Sequence, residues 1–267
     1  MTLLAIESAT DMVGVALVRD DGPAAERVHV GGRAHAELLI PSVVEVCAVS
    51  GCSIADIDVI AVDVGPGLFT GLRVGVATAK ALGQALSVGL VAVSSLDILA
   101  AAALDLAGSH PADGPPTVVS VVDARRGEVF AAAYPFAAAD PTAPAGHAVD
   151  PAAVRHDRSE PISPADLETW LVELAGAHGR VTVVGDGAVR YHRQLVTHAG
   201  LDLADATELS APPPVALAHL ALSRMAGGEV PTPAGELVPD YRRPADARIN
   251  WERRAPRPSA TGGDRPG

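Results

Sequence analysis

The chain is poor in several things at once: it has a single lysine (Lys80), two cysteines, and aromatic residues at only 3%. So few aromatics remove the stacking platform on which readers of single-stranded RNA depend. Basic residues are outnumbered, 20 against 32 acidic, and a net charge of −12 makes the isolated chain repel a phosphate backbone. Cys47 and Cys52 are too few for a disulfide framework, and C-x4-C is not the C-x2-C of a metal or redox motif, so reduced, buried thiols are expected. There is no long apolar run either: Val74 to Val93 is broken by Lys80, Gln84 and glycines, short of a membrane span. The opening residues, MTLLAIES, meet Glu7 at once and have no basic region, unlike a secretory leader. Together these predict a soluble, cytoplasmic protein. What is present is ample: 267 residues, 48% hydrophobic, suffice for a sizeable core and two modest domains.

The most informative stretch is VIAVDVGPGLFTGLRVGVATAKALGQA, Val59 to Ala85. Its apolar start reads as a strand covered on both faces. Gly65, Pro66 and Gly67 demand a tight turn, and Thr70 is placed to cap the helix that follows. Leu72, Val76, Ala79 and Gly83 line one side of that helix, while Ala77, Ala81 and Ala85 keep another side slim. Three readings compete for the bend: an anion site at a helix N-terminus involving Gly65, Gly67 and Gly71, a connection whose glycines serve only close packing, and a packing surface for another protein. The spacing is one residue too long for a dinucleotide fingerprint and lacks the Gly-Lys-Ser/Thr ending of a P-loop.

The order of elements repeats. A hairpin (Leu3–Ile6, Val13–Val18), a helix (about His35 to Val49), a strand (Ile57–Val64), a glycine bend and a helix are followed by a second hairpin (Val118–Val122, Val129–Tyr134) and a helix from Pro164 to about His178. The strand Val181–Val184, the bend Gly185-Asp186-Gly187 and a helix from Val189 complete the second set. The first half also holds a strand, Leu90–Val93, and a helix, Ser95–Ala107, with Asp97 in its first turn. This predicts an α/β protein with two similar lobes of mixed sheet and helices related by internal duplication, the outline of the actin-like ATPase fold. The expected divisions are an N-terminal lobe over 1–108, a second lobe over 109–211 and a C-terminal helix and segment over 212–241. An Arg/Pro/Gly-rich tail over 242–267 is expected to be disordered. Ser109–Pro116 reads as the linker between lobes, and Ala137–Pro161 as a loop-rich excursion with one edge strand.

With these residues in view, LLAIESATDMVGVAL, VDVGPGLFTGLRVGVATAKALG, DARRGEVF and PDYRR resemble the bacterial TsaB family. The resemblance implies a non-catalytic, dimerising actin-like subunit that partners a catalytic paralogue, TsaD, and an ATPase, TsaE. Together these transfer threonylcarbamoyl from its adenylate to the adenosine beside the anticodon, position 37, of tRNAs reading codons that begin with A. It also implies a homodimer when TsaD is absent, a metal carried by TsaD and not by this chain, and a possible ADP or ATP shared at the partner interface. In the paralogue a pair of histidines opens the helix after the strand that ends here at Val93; this chain has Ser94-Ser95-Leu96-Asp97. The competing class is an independent enzyme of the same fold, metallopeptidase-like or a small-molecule kinase.

The partner interface is expected on the first lobe's two helices, at His35, Leu38, Leu39, Val43 and Val46, and at Thr70, Arg73, Val74, Val76, Ala77 and Lys80, with Gly75 and Ala81 allowing close approach. The hairpin turn of actin-like kinases wants D-x-G-x-S/T around phosphate, whereas this chain has Glu7-Ser8-Ala9-Thr10. A longer acid at Glu7 and a Cβ at Ala9 weaken that site, though Glu7 and Thr10 stay candidates for nucleotide contact. In the second hairpin Asp123 either orients water or Mg²⁺ or caps its own turn, and Arg125 and Arg126 either grip an anion or are simply solvated.

Overall fold

A computed structural model of the chain describes residues 1–20, 22–31, 34–107, 117–135, 150–195, 201–203 and 209–243. The linker read at 109–116, residues 137–149 of the excursion and the tail beyond Arg243 lie outside these described residues. In the first lobe β1 (Thr2–Glu7) and β2 (Met12–Arg19) form the expected hairpin, with Leu4 opposite Leu17. β3 (Gly22–Val30) pairs antiparallel with β2. The sequence does not announce this edge strand, because Pro23, Glu26, Arg27 and His29 interrupt any apolar run. α1 (His35–Val49), β4 (Val59–Gly65), α2 (Phe69–Leu86), β5 (Gly89–Ser94) and α3 (Ser95–Ala107) follow.

The second lobe repeats the plan with β6 (Thr117–Arg125), β7 (Glu128–Pro135), β8 (His156–Asp157), α4 (Pro164–His178) and β9 (Val181–Val184). Its last elements are α5 (Asp186–Arg190), α6 (His192–Leu195) and β10 (Leu201–Leu203). The single helix read from Val189 is instead two short ones that begin at Asp186 and break at Tyr191. β8 is the edge strand anticipated in the excursion. The sheets run β3-β2-β1-β4-β5 and β8-β7-β6-β9-β10, the same order twice, with the strands after each hairpin parallel to its first strand. The duplicated, two-lobed actin-like architecture read from the sequence is therefore the one observed.

Alternation along the strands explains the layering. Leu4, Ile6, Ile60 and Val62 point outward to α1 and α2, with Leu39, Val43, Val46 and Val76, in one cluster. Leu3, Ala5, Val59 and Ala61 point the other way, into a cluster that also holds Val118, Val122 and Tyr134 of the second sheet. Two helices fill that middle layer: α3 and α7 (Pro214–Ala226). The second lobe's outer face is closed by Leu167 and Leu171 of α4 and Ala188 of α5. Each fully buried Leu or Ile contributes about 1.5–3 kcal/mol relative to exposure, so the three clusters dominate stability.

The middle layer also carries a buried ionic tie. Asp97 Oδ1 accepts from the Tyr134 hydroxyl at 2.9 Å and Arg155 Nη1 at 3.1 Å, while Oδ2 accepts from Arg224 Nη2 at 2.9 Å. Beyond α7 the chain returns to the first lobe. Thr232 bridges Leu90, Leu237 enters the outer core, the Asp240 amide donates to the Val64 carbonyl, and Lys80 Nζ donates to the carbonyls of Gly235 and Leu237. Arg242 then reaches the second lobe, pairing with Asp157 at 2.6 Å, and Arg243 pairs with Glu128.

Candidate functional site

The outward surface of the first lobe is made by α1 and α2. α1 is apolar on more than one side, and the sheet takes only one of them. Leu39, Val43 and Val46 are buried beneath it, and so is Val76 of α2. This corrects the interface expectation for those four: the lobe's own core holds them away from any partner. His35 is buried as well, its Nε2 donating to the Thr10 carbonyl at 2.9 Å, and Gly75 lies against Ser8. Leu38 and Val74 are half-buried, and Lys80 is engaged by the returning C-terminal segment. Thr70, Arg73, Ala77 and Ala81 are exposed. Beside them α1 presents residues that the sequence reading does not include, Ile40 at 45% exposure and Val44 at 51%. Their signal was there: with only Glu37 and Glu45 charged, α1 is too apolar for a helix with one buried face.

The β1–β2 turn lies under the start of α2. The Leu68 amide donates to the Ala9 carbonyl at 2.6 Å, and Ser8 Oγ donates to the Gly71 carbonyl at 3.0 Å. A Cβ added at Gly67 would sit 2.2 Å from the Ala9 oxygen, and at Gly71 2.1 Å from the Ser8 oxygen. These glycines serve close approach to the turn, the packing reading of the bend. Gly65, at φ 104, donates its amide to Asp63 Oδ1 at 2.7 Å. Thr70 is not the cap: the N-cap is Leu68, with no side-chain hydrogen bond, and Thr70 lies inside the helix.

Two carboxyl groups are sealed beneath this turn. Glu7 accepts from the Ala9 amide at 3.1–3.2 Å, and Asp63 Oδ1 accepts from Gly65 and from Ser95 Oγ, both at 2.7 Å. Burial, and then the neighbouring charge of Asp63, hold Glu7 well above the usual carboxylate range; burial pushes Asp63 up to about 7. Both shifts favour the protonated form of these buried acids. Asp63 Oδ2 is buried with no hydrogen-bond partner among the described residues. Thr10, also buried, accepts from the Met12 amide through Oγ1 at 3.3 Å. The turn's backbone is covered by the start of α2, and both Glu7 and Thr10 are buried beneath it.

Across the cleft, Asp123 Oδ1 accepts from the Arg125 amide at 2.9 Å, the self-capping alternative for this residue, and its carboxylate pairs with Arg125 and Arg190 at 3.1 and 3.4 Å. Asp186 Oδ1 accepts from the Asp123 amide at 2.8 Å, and burial pushes Asp186 up to about 6. Arg125 also reaches Asp11 of the first lobe at 2.7 Å, so it ties the lobes together across the cleft mouth. Arg126 is exposed at the hairpin tip. Beside the hairpin, a cavity of about 600 Å³ is bounded by the start of α2, Phe130 and the returning segment. Arg73 stacks on Phe69 at 3.7 Å on its rim. Among the described residues no three His, Cys, Asp or Glu side chains converge as a metal site, and no helix is long and apolar enough to cross a membrane.

Comparison with known proteins agrees with this architecture. Residues 29–222 match the family model described as tRNA N6-adenosine threonylcarbamoyltransferase, TsaD. An uncharacterized protein of Mycobacterium tuberculosis is 44% identical over 135 residues, a match spanning 50% of this chain and 59% of that protein's length. The tRNA threonylcarbamoyladenosine biosynthesis protein TsaB of Bacillus subtilis is 30% identical over 258 residues, covering 94% of this chain and 98% of its own. Among solved structures, a Pseudomonas aeruginosa protein described as similar to peptidase YeaZ superposes with a TM-score of 0.69 at 27% identity, over 91% of this chain and 99% of its own. YeaZ from the same organism gives 0.64 at 26% identity, over 90% and 99%.

Proposed function

The chain belongs to the TsaB family, and from that premise we propose that it acts in the biosynthesis of threonylcarbamoyladenosine in tRNA as the non-catalytic, partner-docking subunit. The observation that carries this reading is the uncovered face of the first lobe: Ile40 and Val44, one turn apart on α1, beside the slim exposed edge of α2 at Ala77 and Ala81. Exposed branched side chains next to alanines permit close helix-on-helix packing with an apolar centre, the composition of a protein interface rather than of a solvated surface. The proposed partner is the TsaD-type paralogue, with a second copy of this chain taking the same face when the paralogue is absent. Threonylcarbamoyl transfer to position 37 of the tRNA, and the metal that serves it, are assigned to the paralogue, with the TsaE-type ATPase and the tRNA joining through the complex.

The cleft supports the same division of labour. The first-lobe turn is packed against α2, its acid pair is buried, and Arg125 and Asp123 are engaged with protein groups. Any ADP or ATP in the assembly is therefore assigned to the joint with the paralogue and not to this chain's own cleft.

The test is reconstitution with the TsaD-type and TsaE-type proteins and tRNA, scoring modified nucleoside with and without this chain. Modification that depends on the chain, and fails with the folded Ile40→Glu variant, is the expected outcome. Equal modification in its absence would reject the subunit reading, and turnover by the chain alone would favour an independent enzyme.

A further inference from the structure

We propose that Cys47 and Cys52 form a redox-modification site, at which a peroxide converts two resting thiols into an intramolecular disulfide that locks the C-terminal cap of α1. The inference concerns the helix assigned above to docking but does not depend on any partner.

The geometry comes from how α1 ends. Past Val49 the Gly51 amide donates to the Ala48 carbonyl at 3.1 Å and the Cys52 amide to the Cys47 carbonyl at 3.0 Å, with Gly51 at φ 66. This nested pair of bonds around a left-handed residue is the Schellman closure, which brings together the side chains at the third-last helical position and the second position beyond the cap. In most helices that contact is hydrocarbon on hydrocarbon; here both positions are cysteine, so the closure of the cap places the two thiols as neighbours. Both are free, Cys47 buried in the outer core of the first lobe and Cys52 half-buried at its margin. Convergent side chains on a closed turn are what a disulfide requires of its backbone.

The two thiols have different parts. Burial, followed by the nearness of Cys52, pushes Cys47 up to about 11, which leaves it almost wholly a thiol and shielded. Cys52 is the one an oxidant meets. With hydrogen peroxide, the Cys52 sulfur displaces water from the peroxide and becomes a sulfenic acid. The Cys47 sulfur then attacks it, forming the S–S bond as the S–O bond breaks and the hydroxyl leaves as water with the Cys47 proton. The thiols lose two electrons, the peroxide gains them, and a dithiol reductant reverses the change. In a reducing compartment the resting state is the dithiol. Oxidation would fix the turn that follows exposed Val44 and Val49 of the docking helix.

The experiment treats the intact chain with hydrogen peroxide near neutral pH, alkylates residual thiols and determines the mass of the peptide carrying both cysteines. The expected result is a loss of two hydrogens within that peptide, reversed by dithiothreitol, and formed about tenfold faster in the native chain than in the urea-unfolded one because the closed cap already brings the two positions together. Gly51→Val, which opposes the left-handed conformation, should slow native closure. Oxygen addition at Cys52 with Cys47 still open to alkylation, bridging between chains, or equal rates for native and unfolded protein would each overturn the proposal.

Discussion

The two lobes share strand order and bend geometry, Gly65 and Gly185 both at φ 104, yet their outer helices differ in capping, length and apolar exposure. α4 is an ordinary solvated helix: Ser163 caps it through the Asp166 amide at 3.1 Å, Pro164 opens it, and Thr169 and Glu173 face water. α1, at the equivalent place, has no side-chain cap and leaves Ile40 and Val44 bare. After the bends the contrast is sharper, since α2 runs Phe69–Leu86 whereas α5 spans only Asp186–Arg190. A duplicated fold supplies two similar outer faces, and among the described residues it is the first that combines two exposed branched side chains one turn apart with a long second helix.

The strongest way to break this comparison acts on the bend of the first lobe. Gly71→Ala drives a Cβ onto the Ser8 carbonyl and is expected to cost about 3 kcal/mol or more, read from urea unfolding. Gly176→Ala on α4 meets nothing within 4 Å and should instead add about 0.5–1 kcal/mol. The double variant Ile40→Glu, Val44→Glu should weaken association with the partner by about tenfold or more while changing unfolding by less than about 0.5 kcal/mol. Val172→Glu, the matching change on exposed α4, should leave association intact, and loss of binding there would erase the asymmetry.

The acids at the two bends predict a pH signature. Asp63 has a folded pKa of about 7 and Asp186 of about 6, both above the unfolded value near 4, so the folded state holds these protons more tightly. Their contribution to stability is fully present below pH about 4 and is lost as pH rises through those folded values. Because Asp186 is half ionised near pH about 6 and largely ionised only above about 7, the interval from about 7 to about 8 is the one weighted toward the first-lobe pair. Asp63→Asn should flatten the fall in melting temperature over that interval, and an unchanged slope would show that Asp63 does not hold its proton into that range. The smallest effect is at the α4 cap, where Ser163→Ala should cost about 1 kcal/mol.

Much of this plan was legible in the chain because it rests on local periodicity. The spans His35–Val49, Ser95–Ala107 and Pro164–His178 follow from spacing and from Pro164, and both hairpins from paired apolar runs. β3 was not, because an edge strand needs only alternate burial and Glu26, Arg27 and His29 hide that alternation. The site was harder to read. Periodicity marked Leu39, Val43, Val46 and Val76 as one-sided but could not say whether that side faced sheet or partner; a sheet in contact settles it. The glycine bend likewise gave a turn, whereas its true counterpart, Ser8 and Ala9, lies some sixty residues away in the chain.

The C-terminal return has a consequence for how the molecule is held together. Leu237 completes the outer core of the first lobe, Thr232 zips onto Leu90, and α7 fills the layer that both sheets need. The first lobe therefore draws part of its core from residues about 140 positions beyond Leu90 in the chain, so the long-range contacts made by Thr232 and Leu237 belong to its stability as well as to the second half's.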